Sequence, residues 1–133
     1  MSQSLEGEVA VSVTINKGKI LIMKRSKKTS SSGKWAFPGG KIREDEEASE
    51  AVLRELDEET GLNGKIRKKG EPCIDGGELG RWKLHPFLIE TDKRKVELNH
   101  EHSDYRWVEK DEIEDLDTLG ELKAFQRFES VLE

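Results

Sequence analysis

Residues 40–62 read GKIREDEEASEAVLRELDEETGL, and their periodicity decides the fold. Ala48, Val52 and Leu56 recur at i, i+4 spacing, with Ala51 and Leu53 beside them, so one side of a helix is apolar and predicted to pack on a sheet. Asp45 is placed to cap its start. Glu46 and Glu47 suit the positive end of its dipole, and Gly61 suits the left-handed stop after Thr60. The opposite side crowds carboxylates. Like charges at i, i+4 cost a few tenths of a kcal/mol per pair. A solvated acidic face tolerates that cost, whereas a bound cation reverses it. At about 100° per residue, Glu55, Glu58 and Glu59 fall inside a single arc of about 100°. Arg54, four residues before Glu58, can pair with it and fix its rotamer. Three carboxylates converging beside the Pro38-Gly39-Gly40 turn offer hard oxygen ligands suited to Mg2+ or Mn2+. The turn at Gly39-Gly40 would supply a backbone carbonyl as a further ligand and let a phosphate approach without a side chain in the way.

Working outward, Glu8 to Ile15 (EVAVSVTI) alternates and is rich in valine, as a half-buried strand is. Asn16-Lys17-Gly18 reads as a turn into a second strand, Lys19 to Arg25, and the two are expected to pair as a hairpin. Ser26 to Lys34 is a polar loop, and Trp35-Ala36-Phe37 a short apolar segment. Beyond the helix, Lys65 to Ile74 reads as one weak strand and Gly76-Gly77 as a turn. Arg81 to Glu90 is a better strand, with Pro86 suggesting an edge or a bulge. Asp104 to Glu109 is a further strand, Lys110 to Leu119 a short acidic turn or helix, and Gly120 to Leu132 a helix. This order predicts a mixed β-sheet sandwiched between α-helices, an α/β chain of one domain over residues 1–133.

Composition narrows the function. The chain has 133 residues, a net charge of −5 and a single cysteine, Cys73. The acidic balance argues against a nucleic-acid polymer as partner, and an anionic ligand would need a divalent cation to recruit it. One cysteine excludes an internal disulfide and any multi-cysteine metal site. The start, MSQSLEGE, lacks a signal-peptide pattern, and no stretch is long enough to span a bilayer, so a cytoplasmic protein without membrane contact is expected.

Gly40, five residues, Glu46, seven residues, Arg54-Glu55-Leu56, one residue, Glu58-Glu59, one residue and Gly61-Leu62 resemble the Nudix box at every specified position. The preceding WAFPGGK also resembles the segment before that box. The resemblance implies the Nudix fold, with Glu55, Glu58 and Glu59 as metal ligands, the Gly39 carbonyl completing the shell, Arg54 orienting a glutamate, and Glu46 supporting the loop or holding a second ion through water. It further implies Mg2+-dependent hydrolysis (Mn2+ as the substitute ion) of a pyrophosphate bond in a nucleoside diphosphate linked to another group. A homodimer would be in keeping with the family.

The general base is less fixed in this family. Here Glu101, in LNHEHSDYRWV, is the later candidate for touching the metal or its water, while the flanking His100 and His102 read as surface residues. Arg25 stands where MutT-like members often place a phosphate-contacting arginine. Trp35 and Phe37 are candidates to stack on a base, with core packing the competing role. Markers of the members cleaving ADP-ribose, diadenosine polyphosphates or NADH are missing: Asp75-Gly76-Gly77-Glu78 and Leu79-Gly80 stand where the first two groups carry proline and tyrosine. That leaves a small MutT-like pyrophosphohydrolase acting on a nucleoside triphosphate. An inactive binding module of the same fold would be expected to have lost some of the three glutamates. An unrelated acidic interaction domain would neither bind nor turn over a nucleotide.

Overall fold

A computed structural model of the chain describes residues 5–27, 32–75 and 80–116. The valine-rich alternation at the start becomes strand β1 (Gly7–Asn16), which turns through Lys17 and Gly18, at φ 49° and 80°, into β2 (Lys19–Arg25). Two successive positive φ values match the right-handed twist of a tight hairpin. There follow β3 (Trp35–Ala36), β4 (Gly39–Lys41), helix α1 (Ala48–Thr60), β5 (Lys65–Lys69), β6 (Cys73–Asp75), β7 (Trp82–Glu90), β8 (His102–Val108) and a 3-10 turn (Lys110–Asp115). The helix expected over Gly120–Leu132 and the turn at Gly76-Gly77 lie outside the described residues.

All eight strands of the described residues join one mixed sheet. On one edge β1 runs parallel to β7. On the other it pairs antiparallel with β4 through Val9–Val11 and with β2 through Ile15 and Asn16. The sheet is apolar on both faces. Ala10, Leu21, Met23, Phe87 and Ile89 meet Ala51, Val52 and Leu56 of α1, while Val11, Val13, Ile22, Leu84 and Leu88 form the opposite face with Phe37 and Ile113. Each fully buried side chain of this kind contributes about 1.5–3 kcal/mol from its removal from water, and that packing holds α1 against β1 and β4.

Four local expectations change. Pro38-Gly39-Gly40 is no turn: both glycines lie in β4 and pair with Val11 and Ala10. The helix begins at Ala48, because Glu47 rather than Asp45 caps it, in a box with Glu50. The span 65–74 is two strands, interrupted opposite Pro86. There Gly70 donates its N–H to the Pro86 carbonyl, and proline has no N–H to return. Pro86 itself sits in an interior strand, so the break appears in its neighbour instead.

Candidate active site

Val52, Leu56 and Glu59 fall at i, i+4, i+7, so Glu59 continues the buried stripe of α1 and points at the sheet. It is 3% exposed. The backbone N–H of Gly39 donates to its Oε1 at 2.9 Å. Glu55 lies on the flank, partly buried, and Glu58 on the rim, its side chain 48% exposed. Close approach explains both glycines of β4. A Cβ on Gly39 would meet the Ala10 carbonyl oxygen at 2.3 Å, and one on Gly40 would meet Cδ of Glu55 at 2.5 Å. The space at Gly40 that was expected to admit a phosphate is thus taken by a carboxylate.

Arg54 binds the acidic groups into one frame. Its Nε and Nη2 donate to the two oxygens of Glu46, at 2.7 and 2.9 Å. Nη1 donates to Glu55 at 3.0 Å and Glu58 at 3.2 Å, and Nη2 also reaches the Lys41 carbonyl at 3.1 Å. Glu46 accepts the Arg43 N–H as well, and these donors hold its carboxyl far down, at about 2.

The second wall is the loop before β8. Asn99 Oδ1 accepts the N–H of Glu101 at 2.9 Å, while Asn99 Nδ2 donates to the Glu58 carbonyl at 3.3 Å, tying this loop to the end of α1. Ser26, just past β2, donates its N–H to the Glu101 carbonyl. Pairing of β2 with β8 sets His102 opposite Arg25. One ring nitrogen of His102 and one carboxylate oxygen each from Glu59 and Glu101 lie within 4.8 Å of one another.

Burial pushes the Glu59 carboxyl up to about 9; the Gly39 N–H and the Arg25 cation oppose this, and the negative charges of Glu55 and Glu101 add to it. Burial also raises Glu55, against the pull of Arg54. His102 is held down at about 4 by burial and then by Arg25, so its ring is neutral. A carboxylate this deeply enclosed, with two more acidic groups near it, faces more negative than positive charge. The donor set therefore fits a divalent cation with oxygen ligands.

Glu55, Glu58, Glu59, Arg54, Gly39, Gly40, Glu101 and Arg25 are thus gathered at one place. Trp35 and Phe37 are not. Both lean on the apolar face away from α1; Phe37 is 7% exposed within that core, which corrects the expectation of a ring open for stacking. Trp35 is partly buried, with the Arg106 guanidinium 5.9 Å from its ring centre. His102 corrects the reading of a surface histidine. Nothing periodic marks it, since Ser103 and Asp104 are both exposed and the β2–β8 register shifts at Lys24 and Arg25.

Comparison with known proteins bears on the fold and the family. A family model described as NUDIX domain matches residues 6–128. An 8-oxo-dGTP diphosphatase of Buchnera aphidicola subsp. Schizaphis graminum is 34% identical over 105 residues, covering 79% of this chain and 78% of that protein. An RNA pyrophosphohydrolase of Sphingopyxis alaskensis is 32% identical over 106 residues, covering 65% of this chain and 67% of its own. The crystal structure of a MutT protein from Methanosarcina mazei superposes with a TM-score of 0.76 at 29% identity, over 96% of this chain and 97% of that one.

Proposed function

The chain belongs to the Nudix family and is a Nudix hydrolase; from that premise we propose that it is a MutT-like enzyme. Its reaction is a nucleoside triphosphate plus water giving the nucleoside monophosphate and pyrophosphate, with Mg2+ as the working ion. The observation that carries this reading is Glu59, a carboxylate enclosed to 3% exposure beside Glu55 and Glu101 and within reach of the Gly39 backbone. The relative named 8-oxo-dGTP diphosphatase supports a nucleoside triphosphate as substrate.

Glu55, Glu58 and Glu59, with the Gly39 carbonyl, would hold the ion, and Glu101 would touch that ion or its bound water. A bound divalent ion neutralises diphosphate charge and lowers the pKa of the attacking water. The protein's part is positioning and charge. Arg54 fixes the carboxylates of Glu55 and Glu58 by hydrogen bonds, and Glu46 fixes Arg54 in turn. Arg25 is the cation acting on Glu59 and His102, and it would meet a phosphate oxygen. Glu101, fixed by Asn99 and Ser26, is the candidate to take the proton from water.

A panel of ordinary and oxidised nucleoside triphosphates, ADP-ribose and 5′-triphosphorylated RNA, each with Mg2+, tests the assignment. Monophosphate and pyrophosphate are expected from a triphosphate. Turnover of the RNA end alone would move the enzyme to the other relative's substrate class. Glu58→Gln should lower kcat by at least roughly 100-fold with an unchanged circular dichroism spectrum; wild-type rates in that variant would refute the ligand assignment.

A further inference from the structure

On the metal-dependent reading of the site, His102 is the enclosed group still without a role. The residue is 6% exposed, and its Nδ1 is shut away from solvent with no hydrogen-bond partner among the described residues. A buried ring nitrogen left unbonded is costly, so it calls for a partner beyond those residues. Position supplies the second observation. One nitrogen of this ring and one oxygen each from Glu59 and Glu101 lie within 4.8 Å of one another. Ligand atoms at about 2.1 Å from a common ion stand roughly 3–4 Å apart, so small side-chain rotations would close these three on one ion. The backbones are already fixed, His102 by the pairing of β8 with β2 and Glu59 by the docking of α1.

We propose that His102 supplies a nitrogen ligand to an ion shared with Glu59 and Glu101, and that this position takes Mn2+ or another transition-metal ion in preference to Mg2+. Imidazole binds first-row transition metals well, whereas Mg2+ is held almost entirely by oxygen. The centre would then join an oxygen-rich half, at Glu55 and Glu58, to a mixed half deeper in the fold.

Pulsed EPR of Mn2+ bound to the nucleotide-free protein reads a directly coordinated imidazole as a 14N coupling. The chain has three histidines, so a His85→Gln, His100→Gln double variant retains His102 alone and should keep the coupling. His102→Gln should lose it, with Mn2+ affinity falling roughly tenfold or more and Mg2+ affinity less than about threefold. Should His102→Gln fail to fold, the double variant still assigns the coupling. Mn2+ binding without a nitrogen signal, a signal that survives in His102→Gln, or no Mn2+ binding at all would each overturn the proposal. Pyrophosphate released with Mg2+ in any of those cases would leave the hydrolase reading standing. A nitrogen signal with no hydrolysis of any substrate would do the reverse.

Discussion

Glu59 occupies a position that the helical pattern reserves for an apolar residue, and its environment shows the cost. Its folded pKa, about 9, lies above the ordinary carboxylate value of 4.5. Between those limits the folded state keeps a proton that the unfolded chain gives up, so in metal-free protein stability falls as pH rises from about 4.5 toward 9. The slope approaches 1.4 kcal/mol per pH unit, on the order of 3 kcal/mol lost by pH 7. Glu46 works in a separate window: its depressed carboxyl contributes stability that is present above 4.5 and lost as pH falls toward about 2. Glu59→Gln preserves an acceptor for the Gly39 N–H and removes the titration. In EDTA the variant should melt above the wild type at pH 7–8, with the two curves converging near pH 4. Superimposable melting curves across that range would show that Glu59 is not enclosed as described.

At the level of elements, β4 separates two functions of adjacent glycines. Gly39→Ala sets a methyl against the backbone of β1, so it should prise β4 from the sheet and lower stability by roughly 2–4 kcal/mol in urea unfolding. Gly40→Ala meets the end of the Glu55 side chain instead, which can swing away. That variant should stay folded, lose less than about 1.5 kcal/mol and forfeit most of its turnover. Equal destabilisation by both would contradict the picture. The same segment shows what sequence can convey. Alternation in β1 and β2 and the stripe of α1 are local patterns, and the elements stand where those patterns put them, β1 one residue longer at each end. Competing local signals are harder. Asp45 carries the usual signal of a helix cap, yet the cap falls to Glu47, which forms a reciprocal box with Glu50. Glu46 is meanwhile pinned outside the helix by Arg43 and Arg54. Paired glycines likewise suggest a turn until the backbone they lie against is known.

For the whole molecule the deciding contacts are non-local. The box revealed Glu55, Glu58 and Glu59 because they share one helix. His102 reaches Glu59 only through two separate dockings, β8 on β2 and α1 on the sheet, which no spacing along the chain records. The parallel register of β1 with β7, from Gly7–Trp82 to Ile15–Glu90, is equally invisible locally. This assembly surrounds a proton-holding carboxylate with acid, so an ion ligated by Glu59, as proposed, would compete with the proton for it. Below pH 9 a divalent ion has to displace the Glu59 proton, and its apparent affinity should drop up to tenfold for each pH unit. Calorimetric titration with Mg2+ in buffers of different ionisation enthalpy should therefore show about one proton released per ion at pH 7. The melting temperature should rise more with Mg2+ at pH 8 than at pH 6, since stabilisation follows RT ln(1 + [L]/Kd). KCl at matched ionic strength controls for general screening of the −5 net charge. Glu59→Gln should release no proton. If Mg2+ bound the wild type equally well at pH 6 and pH 8, the ion would be sitting on the exposed carboxylates at the rim, and the enclosed Glu59 would not be its ligand.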